Sequence, residues 1–252
     1  MATQTISRLK LSGEPLSVTV VASENWSGVT SIDFGGADVL FSGQTSTVHP
    51  FSGSTNLVSI SNCDVENSDC TFMFGGCYSL SSLSGVGFPN LTIGMDMFIG
   101  CNLSAVTFGL DTLVDGEGMF ANSALENFST SISACTKTSD MFYRCYSLQS
   151  FSADCQSMVN YQNMFEYCSA LTEVQMVVPS SLSGLTQTDF DIPSTAPSSS
   201  YRYVDDLGDN LVRLVFTNTQ RSKYTVRVGS DSQTILDGIT VSVNNNNTTI
   251  SI

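Results

Sequence analysis

One histidine, His49, stands in 252 residues, and no two cysteines are spaced Cys-x-x-Cys. Zinc takes His and Cys ligands at short, regular spacings, so no metal ligand is assigned. The patterns Gly-x-Ser-x-Gly, His-Glu-x-x-His, Gly-x-x-x-x-Gly-Lys-Ser/Thr and Gly-x-Gly-x-x-Gly are also absent. No catalytic residue and no cofactor is expected from them. Lys and Arg number 9 against 23 Asp and Glu, a formal net charge of −14. Nucleic-acid binding needs a basic face, so nucleic acid is not an expected partner. Docking on anionic lipid is disfavoured for the same reason. No run of 18 apolar residues occurs, so membrane insertion is not expected. The opening stretch "MATQTISRLKLSGEPLSVTVVASENW" shows no charged segment leading into an apolar one, so no secretory signal is visible. What remains is 41% hydrophobic and 13% charged, the mix of a globular or β-solenoid chain rather than a disordered one.

What is present is a repeat. "MFGGCYSLSSL" from Met73, "MFIGCNLSAV" from Met97, "MFYRCYSLQSF" from Met141 and "MFEYCSALTEV" from Met164 share one pattern. "MFANSALENF" from Met119 has Ser123 in place of Cys, and "PFSGSTNLVSI" from Pro50 has Ser54 there. The leucines Leu57, Leu80, Leu103, Leu125, Leu148 and Leu171 are separated by 23, 23, 22, 23 and 23 residues. Three residues after each stands another apolar residue: Ile60, Leu83, Val106, Phe128, Phe151 and Val174. Two copies, at Met97 and Met119, lose one residue before the leucine.

A unit of this length cannot bury its own apolar face, so neighbouring units must stack. Met141, Cys145 and Leu148 stand at i, i+4 and i+7, one face of a helix, and Asp140 precedes them. "DMFYRC" therefore predicts a short helical turn, with Asp96, Asp140 and Asn163 as N-caps. Parallel short strands are expected over 57–60, 80–83, 103–106, 125–128, 148–151 and 171–174. The expected fold class is mainly β, a solenoid of about six coils of 22–24 residues with short helical turns, flanked by N- and C-terminal β regions.

The cores "MFGGCYSL", "MFYRCYSL" and "MFEYCSAL", with the shortened "MFIGCNL" and "MFANSAL", resemble the BspA-like leucine-rich repeats, including those of mycoplasma-type surface proteins. The resemblance spans about half of the chain, from near His49 to Val178. It implies surface display and adhesion or recognition rather than catalysis. Family members from cells normally carry an export signal, and its absence here favours a virion component over a cell-surface adhesin.

The expected organisation is an N-terminal β region over 1–48, repeats over 49–178, a Pro/Ser linker over 179–200 and an antiparallel β domain over 201–252. In the first region, residues 5–22 read as two strands about a "SGEP" turn, and "VTSI" from Val29 as a degenerate first coil. Solenoid ends expose sheet edges, so the flanking regions are candidate caps or attachment modules.

Eight cysteines occur. Cys77, Cys101, Cys145 and Cys168 share the stacked position, where neighbouring coils come near disulfide distance. Ser54 and Ser123 at that position, and its inward direction, favour buried free thiols. Cys63 with Cys70 and Cys135 with Cys155 leave pairing open. Asp96, Glu117 and Asp140 suggest a glycosidase pair, but capping accounts better for Asp96 and Asp140. "DDLGDN" from Asp205 and "GSDSQTILDG" from Gly229 lack calcium-loop spacing and read as acidic turns. Tyr78, Tyr143, Tyr146, Tyr161 and Tyr167 are assigned to packing between coils, with sugar stacking as the alternative. His49 reads as a turn residue beside Pro50.

The residues between the two inward apolar positions should face outward and form polar rows. Ser59, Ser82, Asn127, Ser150 and Glu173 are the expected binding residues, suited to an extended partner rather than to catalysis. The expected function is a non-enzymatic virion decoration, fibre or tail protein, located on a virion surface or extracellularly. Its partners would be virion proteins or a host receptor or glycan, with a homo-oligomer as a further candidate. A cell-surface adhesin is the alternative, with a tailspike-type glycan hydrolase behind it.

Overall fold

The structure is a computed structural model that describes residues 17–21, 26–43, 48–221, 223–228, 231–236, 240–244 and 247–251, with side chains over 26–43 and 48–221. Two compact units divide the chain, 1–218 and 219–252. The first is the solenoid. Strand β1 (Ser17–Val21) pairs in parallel with β2 (Ser31–Ser42), β2 with β3 (Ser59–Val65), and β3 with β4 (Ser82–Gly87). A second sheet runs β5 (Asn127–Phe128), β6 (Ser150–Asp154) and β7 (Glu173–Pro179), also parallel. Antiparallel β9 (Leu211–Thr217) and β8 (Tyr201–Gly208) then complete it. "VTSI" is a coil as expected: Ser31 and Ile32 pair with Ser59 and Ile60. Expected strands around "SGEP" fall outside the described residues, except β1.

All six repeat leucines are buried, and so are their apolar followers apart from Val106, which packs half-buried against the core. Where strands form they begin two residues later than expected, and all but the one after Leu125 run further. No strand forms over 103–106, and β5 has 2 residues. Both belong to the coils that lost a residue before the leucine. Successive methionines there, Met97, Met119 and Met141, are 22 apart instead of 23 or 24. The missing residue lies in the turn before the leucine, and the sheet splits in two across these coils.

No helical turn forms at the Met-Phe core. Backbone N–H groups instead alternate between two kinds of partner. Met97, Ile99 and Cys101 donate within the coil to the carbonyls of Gly94, Asp96 and Phe98. Gly94, Asp96, Phe98 and Gly100 donate along the axis to Asp115, Glu117, Met119 and Ala121 of the next coil, at 2.8–2.9 Å. A chain of tight turns linked this way satisfies both kinds of backbone group without a helix or a long strand. Its turns need left-handed residues in third place, as a type II turn does. The residue before each methionine has positive φ: Phe72 54°, Asp96 51°, Gly118 62°, Asp140 56° and Asn163 54°. So has the residue three after it: Gly76, Gly100, Asn122, Arg144 and Tyr167, at 56–76°. Asp96, Asp140 and Asn163 therefore are not N-caps. They stand where Gly, Asn and Asp tolerate the left-handed region best. Side-chain capping falls three residues earlier: Asp69 and Asp115 accept from the N–H groups of Thr71 and Glu117.

The interior is a set of columns. Phe51, Phe74, Phe98, Phe120, Phe142 and Phe165 stack with centroids 5.1–5.8 Å apart and planes within 11°. Burying each such ring contributes about 1.5–3 kcal/mol. Trp26 and Phe41 close the column on Phe51, at 5.1 and 5.2 Å. His49 sits half-buried beside Pro50, its ring edge-on to Phe72 at 5.5 Å.

Residues 179–200 are packed rather than extended as a linker. Three short 3-10 turns run through 180–199, and Phe190, Ile192, Ala196 and Ser198 are buried. The Phe190 carbonyl accepts from the Phe165 N–H, and the Asp191 carboxylate accepts from the Asn163 N–H at 2.8 Å. These would otherwise be the open donors of the last coil, so the segment is its cap. "NLVRLVFTN" also belongs to this unit as β9, because its antiparallel pairing covers the edge of β7. "DDLGDN" is the β8–β9 hairpin: Asp209 and Asn210 are left-handed, the requirement of a two-residue turn, and Asp206 accepts from Gly208.

The second unit holds two antiparallel hairpins, β10 (Lys223–Val228) with β11 (Asp231–Leu236) and β12 (Thr240–Asn244) with β13 (Asn247–Ser251). Most of "GSDSQTILDG" is thus a strand rather than an acidic turn.

Candidate functional site

The five strand residues sit in register on the two sheets. Ser59 pairs with Ser82 in the first, and Asn127, Ser150 and Glu173 follow one another in the second. Alternation along a strand sends one side chain out when its neighbour goes in. Ile60, Leu83, Phe128, Phe151 and Val174 take the inward places, so the residues before them point away from the core. Asn127 and Glu173 are exposed, and Ser59, Ser82 and Ser150 half-buried. The Ser150 hydroxyl donates to Asn127 Oδ1 at 2.6 Å. The strandless coil separates the two groups, so the row is interrupted rather than continuous. A shallow depression of about 320 Å³ occupies the interruption, lined by Ser82, Ser84, Gly85, Ser104, Ala105 and Thr107.

A second edge of the coil carries the turn residues. Tyr78, Tyr146 and Tyr167 are 67%, 57% and 46% exposed, so they lie on the outside of the stack rather than in its core. Tyr161 alone of the five packs against the core. Tyr143 meets Tyr167 edge-on at 5.6 Å, and the Arg144 guanidinium lies 5.0 Å from one ring centroid and 5.4 Å from the other. That is cation–π distance. Sequence reasoning passed over Arg144. The signal was there: Lys137 and Arg144 are the two cations of the repeats, and apart from Tyr167 the other coils have Gly or Asn at the place of Arg144. Beside this cluster an open depression of about 560 Å³ is lined by Glu166, Gln187, Thr188, Asp191, Ser194 and Ser199.

Burial, then the charges of Glu117 and Asp140, raise the Asp96 carboxyl. Asp115 is instead bound to Lys137 at 2.6 Å. Burial also pushes every thiol up, Cys77, Cys135 and Cys145 to about 11 and Cys63 and Cys70 to about 12. All eight cysteines are free and buried, so neither open pairing forms. Among the described residues no group of three or more His, Cys, Asp or Glu could hold a metal ion, and no helix is long and apolar enough to cross a membrane.

The stacked coils, inward leucines and outward polar strand rows define a leucine-rich-repeat solenoid. Residues 70–192 match the family of the BspA type leucine rich repeat region, in 6 copies. Comparison with curated proteins and with solved structures gives no match.

Proposed function

We propose that the chain is a non-catalytic adhesive protein displayed at a cell surface, presenting its strand rows to an extended protein partner. The observation that carries this reading is the Asn127–Ser150–Glu173 row, one outward polar side chain per coil in strict register. Ladders of this kind suit a partner that also repeats along its length. Small, polar side chains keep such a face free of an aggregating apolar patch. The BspA type match supports the adhesin over the virion component, since nothing in the repeats is particular to a virion. The hairpins after Asn218 are the proposed attachment module.

Attachment of the purified chain to cells, or to a partner protein captured from them, tests the reading. Ser82→Lys, Asn127→Lys and Ser150→Lys together should leave the thermal midpoint unchanged and abolish attachment. Attachment that survives those changes but disappears on deleting 219–252 would make the repeat a spacer. That deletion stops after Asn218 because removing β8 and β9 would uncover β7. Glycan turnover by the purified chain would overturn the non-catalytic reading.

A further inference from the structure

Arg144 and Tyr167 occupy equivalent places on adjacent coils, three residues after Met141 and Met164, with φ of 59° and 65°. Other coils fill this left-handed place with Gly53, Gly76, Gly100 and Asn122. A bulky L-residue there is strained, and strain of this kind persists where the surrounding structure or a function holds it. Burial in the core gives no reason for it, because both side chains are exposed. Among the described residues Arg144 makes no ion pair, although the chain is strongly acidic. It lies instead over the rings of Tyr143 and Tyr167. Glu166 connects this cluster to the neighbouring depression: it precedes Tyr167 in the chain, its charge holds the Tyr167 hydroxyl above the usual tyrosine range, and it lines the depression with Gln187 and Asp191.

We propose that this cluster and depression bind a neutral oligosaccharide. An exposed tyrosine offers a flat apolar face with a polar tip, the shape that packs on the C–H face of a pyranose ring. The carboxylates of Glu166 and Asp191 accept from sugar hydroxyls, the Gln187 amide both gives and accepts, and Arg144 donates. Two carboxylates in the depression, on a chain of net charge −14, repel sulfated and sialylated glycans and nucleic acids. This site lies on the turn edge, apart from the strand rows, and shares with the adhesin reading only the premise of recognition without catalysis.

The full chain is applied to an array of neutral trisaccharides of glucose, galactose, mannose and N-acetylglucosamine, beside sialylated and sulfated glycans. Retention of at least one neutral glycan is expected. Tyr167→Gly and Glu166→Gln should each weaken it by about tenfold or more. Tyr167→Gly should also leave the thermal midpoint unchanged or raise it, since glycine relieves the left-handed strain. Tyr78→Ala, on a distant coil, should bind as the wild type. No retained neutral glycan, a preference for sulfated or sialylated glycans, or undiminished binding by both variants overturns the proposal. So does a partner protein captured equally well after its glycans are removed. Strand-row attachment is scored separately by the Ser82, Asn127 and Ser150 variant, so either reading can fail alone.

Discussion

The Cys145 thiol donates to the carbonyl oxygen of Phe120 on the preceding coil, Sγ to O 3.1 Å. Cys77, Cys101 and Cys168 repeat the contact with Phe51, Phe74 and Phe142 at 3.0–3.3 Å. These carbonyls already accept one backbone N–H from within their own coil, so the thiol takes up the second lone pair. The place asks for a small side chain that carries a donor. Ser123 fills the same place with another small polar side chain and touches Cys145, Oγ to Sγ 3.4 Å.

Reagent access follows from this arrangement. The thiolate is the reactive form, and burial holds Cys77 and Cys145 at about 11. A colorimetric thiol assay on the native chain at pH 8 should therefore find no fast-reacting group, and all 8 cysteines should react after denaturation. Prompt reaction of Cys145 in the native chain, located by mass spectrometry, would contradict the buried column.

Leu57 and Leu125 are both fully buried, one near the end of the stack and one inside it. Trp26 and β2 cover the end, so position along the stack should not soften the loss. Leu57→Ala and Leu125→Ala are each expected to cost about 2–5 kcal/mol in urea unfolding, from lost burial and the cavity left behind. A Leu57→Ala cost near zero would show that the N-terminal coil does not cover it.

Much of this was legible in residues alone. The leucine register, their burial, the parallel pairing and the first coil at "VTSI" follow from a period that only stacking can use. The Met-Phe core misled, because i, i+4 and i+7 spacing fits a ladder of turns as well as a helix. Positive φ at Asp96, Asp140 and Asn163 is the deciding feature, and the same residue types also suit N-caps. Strand loss after Leu103 depends on one missing residue, a small signal in sequence. Residues 179–200 look like a linker because Pro and Ser dominate, yet Phe190 and Ile192 anchor them on the last coil. The polar strand residues were placed from alternation. The Arg144 cluster needed three dimensions, since its rings come from neighbouring coils.

Gly118 and Asp96 are coupled across coils. A methyl group on Gly118 would come within 2.2 Å of Asp96 Oδ1, whereas one on Gly53 would meet nothing within 4 Å. Both glycines are left-handed, so Gly53→Ala should cost about 1–2 kcal/mol from backbone strain. Gly118→Ala should cost clearly more, and Asp96→Gly in the same chain should remove the excess. Equal costs at the two glycines would contradict the contact.

The same aspartate sets a pH dependence. Its carboxyl is raised by burial first, then by Glu117 and Asp140, so the folded chain holds its proton more tightly than the unfolded chain does. Ionised Asp96 therefore weighs against folding at neutral pH, and the penalty fades as pH falls through its folded pKa. Asp96→Asn should raise the urea midpoint at pH 7, with the gain shrinking as pH is lowered through the carboxylate range. A gain independent of pH would assign the effect to the backbone instead.

The alternating ladder is the frame on which both proposed surfaces rest, and residue-resolved amide hydrogen exchange on the full chain reads it most directly. In a free-standing helical turn the first N–H groups lack partners and exchange fast. In the stack the N–H groups of Phe74, Phe98, Phe120 and Phe142 are held by Met97, Met119, Met141 and Met164 of the next coil. The account expects these four amides to exchange as slowly as the central amides of β6. Fast exchange at all four, beside protected strands, would contradict it.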